Sequence, residues 1–260
     1  MVDYETKKHI IECLEKGVRY DGRKKEDFRA IEIKTGLIET AEGSAHVKCG
    51  KTEVIAGIKM TVEKPFPDTP NEGILMVGAE LLPMSNPKYE GGPPGANAIE
   101  IARVIDRGIR ESKTLDNKRL CIKAGEQVWT INVDICPLND DGNLIDVGSI
   151  AAIAAVLNAR FPARENEKID YKKKTTEAIP VSKIPIAITV IKIGNNFIVD
   201  PTELEEAALD ARLTVITIDN GELCALQKGG EGPLTIEEID KMLELALRKS
   251  EEIRKLIKQN

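Results

Sequence analysis

Between residues 30 and 60 the chain reads as three short β-rich runs, AIEIKTGLI, SAHVKCG and TEVIAGIKM, set off by Gly36, Gly43 and Gly50. Runs this short between turn-forming glycines cannot carry a bundle of long helices; they predict a meander of antiparallel strands. Helical patterns bracket and interrupt the strands. Residues 3–16 place Ile10, Ile11 and Leu14 at helical spacing and stop at Gly17. Residues 97–111 carry Ile101, Val104, Ile105 and Ile109 as one apolar stripe, with Asn97 placed to cap the helix and Glu100 three residues on. A strand at 128–138 is followed by a turn at 139–143 and a helix of small residues at 147–158, which must pack closely against a neighbour.

Further strands fall at 186–193, 196–199, 213–218 and 222–227. A closing helix from about Ile236 has Thr235 and Glu238 as its capping box and Ile239, Leu243, Ala246 and Leu247 as its expected buried face. The polar stretch 163–178, with Lys172, Lys173 and Lys174, reads as a linker. The rhythm is that of an α+β domain of two similar halves, roughly 18–165 and 175–260, within one unit spanning 1–260.

Composition narrows the function classes. Hydrophobic residues at 42% support a real core, and the longest apolar stretch, Ile150 to Leu157, is far short of the ~20 residues of a membrane span. No leader pattern opens the chain, so a cytoplasmic location is expected. The cysteines (Cys13, Cys49, Cys121, Cys136, Cys224) are scattered singly, which argues for reduced thiols rather than a zinc site or disulfide framework. Aromatic residues make up 3%, too few for an aromatic base-stacking platform. The net charge of −6 excludes a wholly cationic surface, but nucleic-acid binding depends on where the basic residues lie.

They gather in EIARVIDRGIRES, where Arg103, Arg107 and Arg110 share one helical face. Arginine binds phosphate oxygens in bidentate fashion, so such a line can grip successive phosphates of a strand. The alternative is a solvated salt-bridge face, with the arginines paired to Glu100, Asp106 and Glu111. Spacing alone favours that alternative.

The segment DGRKKEDFRAIEIKTGLIETAEGSAHVKCGKTEVIAGI resembles the opening of the RNase PH family, with its DGR turn, AEGSA-type hairpin and G-x-T-x-V strand. EIARVIDRGIRES is similar to the family's arginine helix and TIEEIDKMLELALRKSEEIRKL to its closing helix. The resemblance runs through nearly the whole chain. It implies an RNase PH-like fold (ribosomal protein S5 domain 2-like) with an added N-terminal helix at 3–16 and a long C-terminal helix.

Active members of that family are phosphorolytic 3′→5′ exoribonucleases with a D-x-G-T-R phosphate cradle and a pair of catalytic Asp residues. Here the cradle segment reads NDDGNLIDVGS (139–149): Gly142 is kept, but Asn143 and Leu144 stand for Thr-Arg, and Asp140, Asp141 and Asp146 would repel an anion. The carboxylate segment reads DPTELEEAALDARLTV (200–215), which puts Glu206 and Arg212 on the two catalytic positions. An arginine there prevents a two-carboxylate site. Asp200, Glu203, Glu205 and Glu206 read as a surface loop.

This pattern, with the extra N-terminal helix and the acidic, proline-containing loop EKPFPDTPNEG, resembles the silent ring subunit of the archaeal exosome. The resemblance implies an alternating six-membered ring with a homologous catalytic RNase PH-like chain, RNA-binding cap proteins on the ring, and single-stranded RNA held by Arg103 and Arg107, with Arg110 the weaker candidate. No catalytic residue, metal or cofactor is assigned to this chain. Two rivals stand beside that reading: an active exoribonuclease using Asp210 with Asp200 or Glu206, and a ring spacer without RNA contact.

Overall fold

The computed structural model describes residues 2–165 and 168–259. Helix α1 (Tyr4–Glu15), capped by the Asp3 side chain, precedes strands β1 (Ile31–Thr35), β2 (Gly43–Cys49), β3 (Thr52–Glu63) and β4 (Ile74–Ala79). Then follow α2 (Ala96–Glu111), β5 (Cys121–Lys123), β6 (Gln127–Asn139) and α3 (Leu144–Asn158). The remainder is β7 (Arg160–Glu165), β8 (Lys168–Ala178), β9 (Ile186–Ile193), β10 (Asn196–Val199), α4 (Glu203–Ala208), β11 (Ala211–Thr217), β12 (Leu223–Gly229) and α5 (Ile236–Gln259).

The strands form one sheet in the order β1-β2-β3-β6-β4, with β5 beside β6, and a second in the order β10-β9-β11-β12. β1, β2, β3 and β6 run antiparallel as a meander does, while β4 joins β6 in parallel and leaves its other edge open. Along β3 every second residue from Thr52 to Met60 is buried, the signature of a strand with one face on the core. α3 is apolar all round and buried from Leu144 to Val156, because it lies between the two sheets, against β2, β3 and β9. One continuous core therefore takes side chains from both sheets.

Three local expectations change. The stretch 163–178 is no linker: β7 and β8 pair as an antiparallel ribbon. Its Lys173 and Lys174 are exposed, and the mostly polar β8 carries no regular apolar period to read. The side chain of Lys172 lies outside the described residues. On α5 the buried stripe is Met242, Leu245, Ala246, Ile253 and Ile257, with Ile239, Leu243 and Leu247 at its margin. The third concerns the segment 200–206.

Of that segment Glu203 does lie at the surface, but Asp200 and Glu205 do not. Asp200 and Glu205 are 0% and 2% exposed. Arg19, itself buried, donates from Nε and Nη2 to Glu205 (2.8 and 2.5 Å) and further to the carbonyls of Asp27, Val199 and Asp200. Glu205 also accepts from Thr202 N and completes the capping box of α4. Asp200 accepts from Arg29 N, Nε and Nη2, from Arg23 Nη1 and from Asn143 Nδ2, all within 2.9 Å. Burial alone would raise the Asp200 carboxyl, yet Arg29 and Arg23 hold it below the usual carboxylate range. Arg23 also pairs with Asp21, which ties the DGR turn.

Breaking one partner of a buried pair leaves the other charge uncompensated, at about 3–5 kcal/mol. Glu205→Ala is therefore expected to lower unfolding stability by about that amount in a denaturant titration; a loss under 1 kcal/mol would show that water reaches Arg19.

Candidate nucleic-acid interface and anion cradle

α2 forms because Ala98, Ile101, Val104, Ile105, Gly108 and Ile109 line one buried stripe against β4, β12 and α3. Gly95, not Asn97, is the N-cap, and it offers no side-chain acceptor. The opposite face carries the three arginines, and their environments differ.

Arg110 donates from Nε and Nη2 to Asp106 (3.0 and 2.7 Å) and from Nη2 to Leu75 O, so it is spent on the i,i+4 pair. Glu100 pairs with Arg212 across to the second sheet at 2.5 Å. Arg103 and Arg107 make no ion pair or side-chain hydrogen bond among the described residues. Arg103 edges an open groove with Val77, Ala79, Pro94, Ala98 and Ile99, and Arg107 meets Ile216, Leu226 and Gln227 of the second sheet. The salt-bridge alternative thus holds for Arg110 and fails for Arg103 and Arg107.

The loop at 139–143 has the shape of a cradle but not the vacancy. Gly142 and Asn143 both take left-handed backbone (φ 86° and 63°) just before α3. A helix amino terminus with such a loop attracts anions through its free N–H groups and dipole. Here the acceptor is the chain's own: Glu206 Oε1 accepts from Asn143 N at 2.8 Å. Residues 201–203 cover the loop so closely that a Cβ on Gly142 would lie 2.6 Å from Pro201 O.

The sequence-based obstacle, repulsion by three aspartates, is corrected accordingly. Asp140 is matched by Lys88 Nζ (2.8 Å) and Tyr89 OH (2.6 Å), and Asp141 lies beside Arg29. Asp146 points into the interior, where Thr189 N and Oγ1 donate to it (2.9 and 2.7 Å). What fills the cradle is Glu206.

At the two positions that match the catalytic carboxylates, Glu206 therefore serves α3 and Arg212 serves Glu100. Asp210 is held elsewhere, by Lys7 Nζ (2.6 Å) and Gly194 N (2.7 Å). Asp200 lies within the arginine network. No two of these carboxylates converge on an open site.

The functional roles of Glu206 and Arg29 escape sequence reasoning, because each depends on a partner more than 60 residues away. Arg29 bonds to Asp141 O and Gly142 O, and Thr52 Oγ1 to Gly142 O, which holds the loop to the first sheet.

Together, the sheet pair, the buried helix between them and the arginine helix at one side describe an RNase PH-type domain. The chain belongs to the 3′ exoribonuclease (RNase PH) family: domain 1 of that family matches residues 27–162 and domain 2 matches residues 183–249. It is 48% identical over 257 residues to the exosome complex component Rrp42 of Pyrococcus abyssi, covering 96% of this chain and 92% of that one. To the Rrp42 of Methanopyrus kandleri it is 42% identical, with 97% and 96% covered. Among solved structures it is similar to a chain of the Archaeoglobus fulgidus exosome with RNA bound to the active site: TM-score 0.90, 40% identity, 96% and 97% covered.

Burial pushes the Glu206 carboxyl up to about 7, against the Asn143 N–H bond and the nearby Arg212 charge. An unfolded chain releases that proton near 4.5, so the folded state binds more protons in between. The contribution of Glu206 is thus most favourable below about pH 4.5 and is lost as pH rises through about 7. Asp146, raised to about 7 by burial, acts in the same direction. Glu206→Gln keeps an acceptor for Asn143 and is expected to flatten melting temperature against pH over this window. An unchanged slope would mean that Glu206 does not titrate there.

Proposed function

We propose that this chain is a non-catalytic subunit of an exosome ring, in which it binds single-stranded RNA through phosphate contacts of Arg103 and Arg107 and completes the active site of a homologous catalytic RNase PH-like chain. The partner performs 3′→5′ phosphorolysis; Arg110, tied to Asp106, contributes less. The observation that carries this reading is a contrast within the chain: two arginines without counter-charges on α2, and a loop at the start of α3 whose Asn143 N–H is already bonded to Glu206.

The surroundings of α2 support a protein partner. β4 and β12 end their sheets with open edges, and Met76, Ile99 and Leu226 are exposed close by. Open strand edges beside exposed apolar residues are surfaces that proteins ordinarily cover. The exosome membership of the similar Rrp42 chains, and the RNA in the similar Archaeoglobus fulgidus complex, point the same way. RNA-binding cap proteins would sit on the ring, and the assembly would act in the cytoplasm. Among the described residues no helix is long and apolar enough to cross a membrane.

RNA decay with inorganic phosphate tests the reading, using this chain alone, an active RNase PH-like partner alone, and the two combined. Efficient release of nucleoside diphosphates is expected from the mixture and not from this chain. Arg103→Ala with Arg107→Ala should weaken RNA binding by the complex at least tenfold and reduce the salt slope by about two phosphate contacts. Phosphorolysis by this chain alone would overturn the non-catalytic assignment. Unchanged binding by the double variant would leave a ring spacer.

A further inference from the structure

Arg103 has two acidic neighbours at helical spacing, Glu100 and Asp106, either of which is an ordinary salt-bridge partner on a helix surface. In the fold neither reaches it. Asp106 is held by two hydrogen bonds from Arg110, and Glu100 is held by Arg212. Arg212 belongs to β11 and lies opposite Gly229 of β12. A Cβ on Gly229 would overlap Arg212 Nε, so the missing side chain makes room for the guanidinium to cross the strand toward α2. Arg212 Nε is buried without a hydrogen-bond partner, and its Nη2 meets Glu100 Oε2 at 2.5 Å. Both partners are mostly sheltered, at 22% and 32% side-chain exposure, so the pair is less screened than one on an open helix surface.

We infer that Arg212 is a positioning residue for RNA binding: by holding Glu100 against the second sheet, it keeps that carboxylate off Arg103, whose guanidinium is thereby left unpaired for a phosphate. Arg110 does the same for Asp106. A residue that replaces a catalytic acid thus serves the arginine helix from behind, without touching RNA. Released from Arg212, Glu100 would compete with phosphate for Arg103 from one turn away and place a like charge beside the RNA backbone. The inference rests on the RNA-binding role proposed for Arg103.

The test measures the affinity of the assembled complex, this chain with an active RNase PH-like partner, for a single-stranded oligoribonucleotide at low salt. Arg212→Ala should weaken binding about fivefold, roughly the worth of one weakened charge-assisted contact. Adding Glu100→Gln to Arg212→Ala should restore affinity to within about twofold of the parent, which neither a folding defect nor a lost Arg212–RNA contact would allow. Should Arg212→Ala not assemble, Arg212→Met, of similar length, carries the same pair of measurements. If Arg103→Ala weakens binding but Arg212→Ala does not, the inference is wrong and the RNA-binding reading survives. A double variant as weak as Arg212→Ala likewise overturns it. If Arg103→Ala itself changes nothing, both fall together.

Discussion

The buried Asp200 carboxylate is the point on which the segment before the first sheet, the loop that opens α3 and the start of α4 meet. Arg23 and Arg29 come to it from the segment before the first sheet, and Asn143 comes from the loop that opens α3. Arg19 joins Glu205 and the Asp200 carbonyl to the same segment. A carboxylate with no exposure persists only with such a full set of donors, since each missing bond would cost the desolvation of a charged group. Asp200 even takes a left-handed backbone (φ 46°), which the surrounding bonds impose.

This clasp decides the geometry of the cradle. With Asp200 bound to Asn143 and residues 201–203 drawn over Gly142, the carboxylate of Glu206 arrives at the amino end of α3. An internal carboxyl already bonded to that N–H group must be displaced before a free phosphate can use it. The loop at 139–143, with Asn143 and Leu144 after Gly142, is therefore a closed, internally bonded turn.

At α2 the same logic of counter-charges is inverted. Acidic residues of α2 are drawn to Arg110 and Arg212, and two arginines are left over on an exposed face flanked by open strand edges. A net charge of −6 is thus compatible with a local cationic stripe, because the carboxylates are engaged elsewhere.

Much of this was legible from sequence. The glycine-punctuated runs at 30–60 gave three strands of the first sheet, the stripe Ile101, Val104, Ile105 and Ile109 gave α2, and the runs beyond 186 gave the second sheet, because burial on one face imposes a period on local sequence. The β7–β8 ribbon was not legible because β8 is mostly polar and shows no regular apolar period, and the burial of Asp200 and Glu205 was not, because acidic residues near a proline usually stay in water. By itself, then, the sequence determined most of the strands and the long helices, the family and the shared face of Arg103, Arg107 and Arg110. Which carboxylates neutralise which arginines, and so which arginines remain free, was decided only by the tertiary structure. Ion pairing depends on distance in space, and Arg19–Glu205, Arg29–Asp200 and Glu100–Arg212 each join residues more than 100 positions apart.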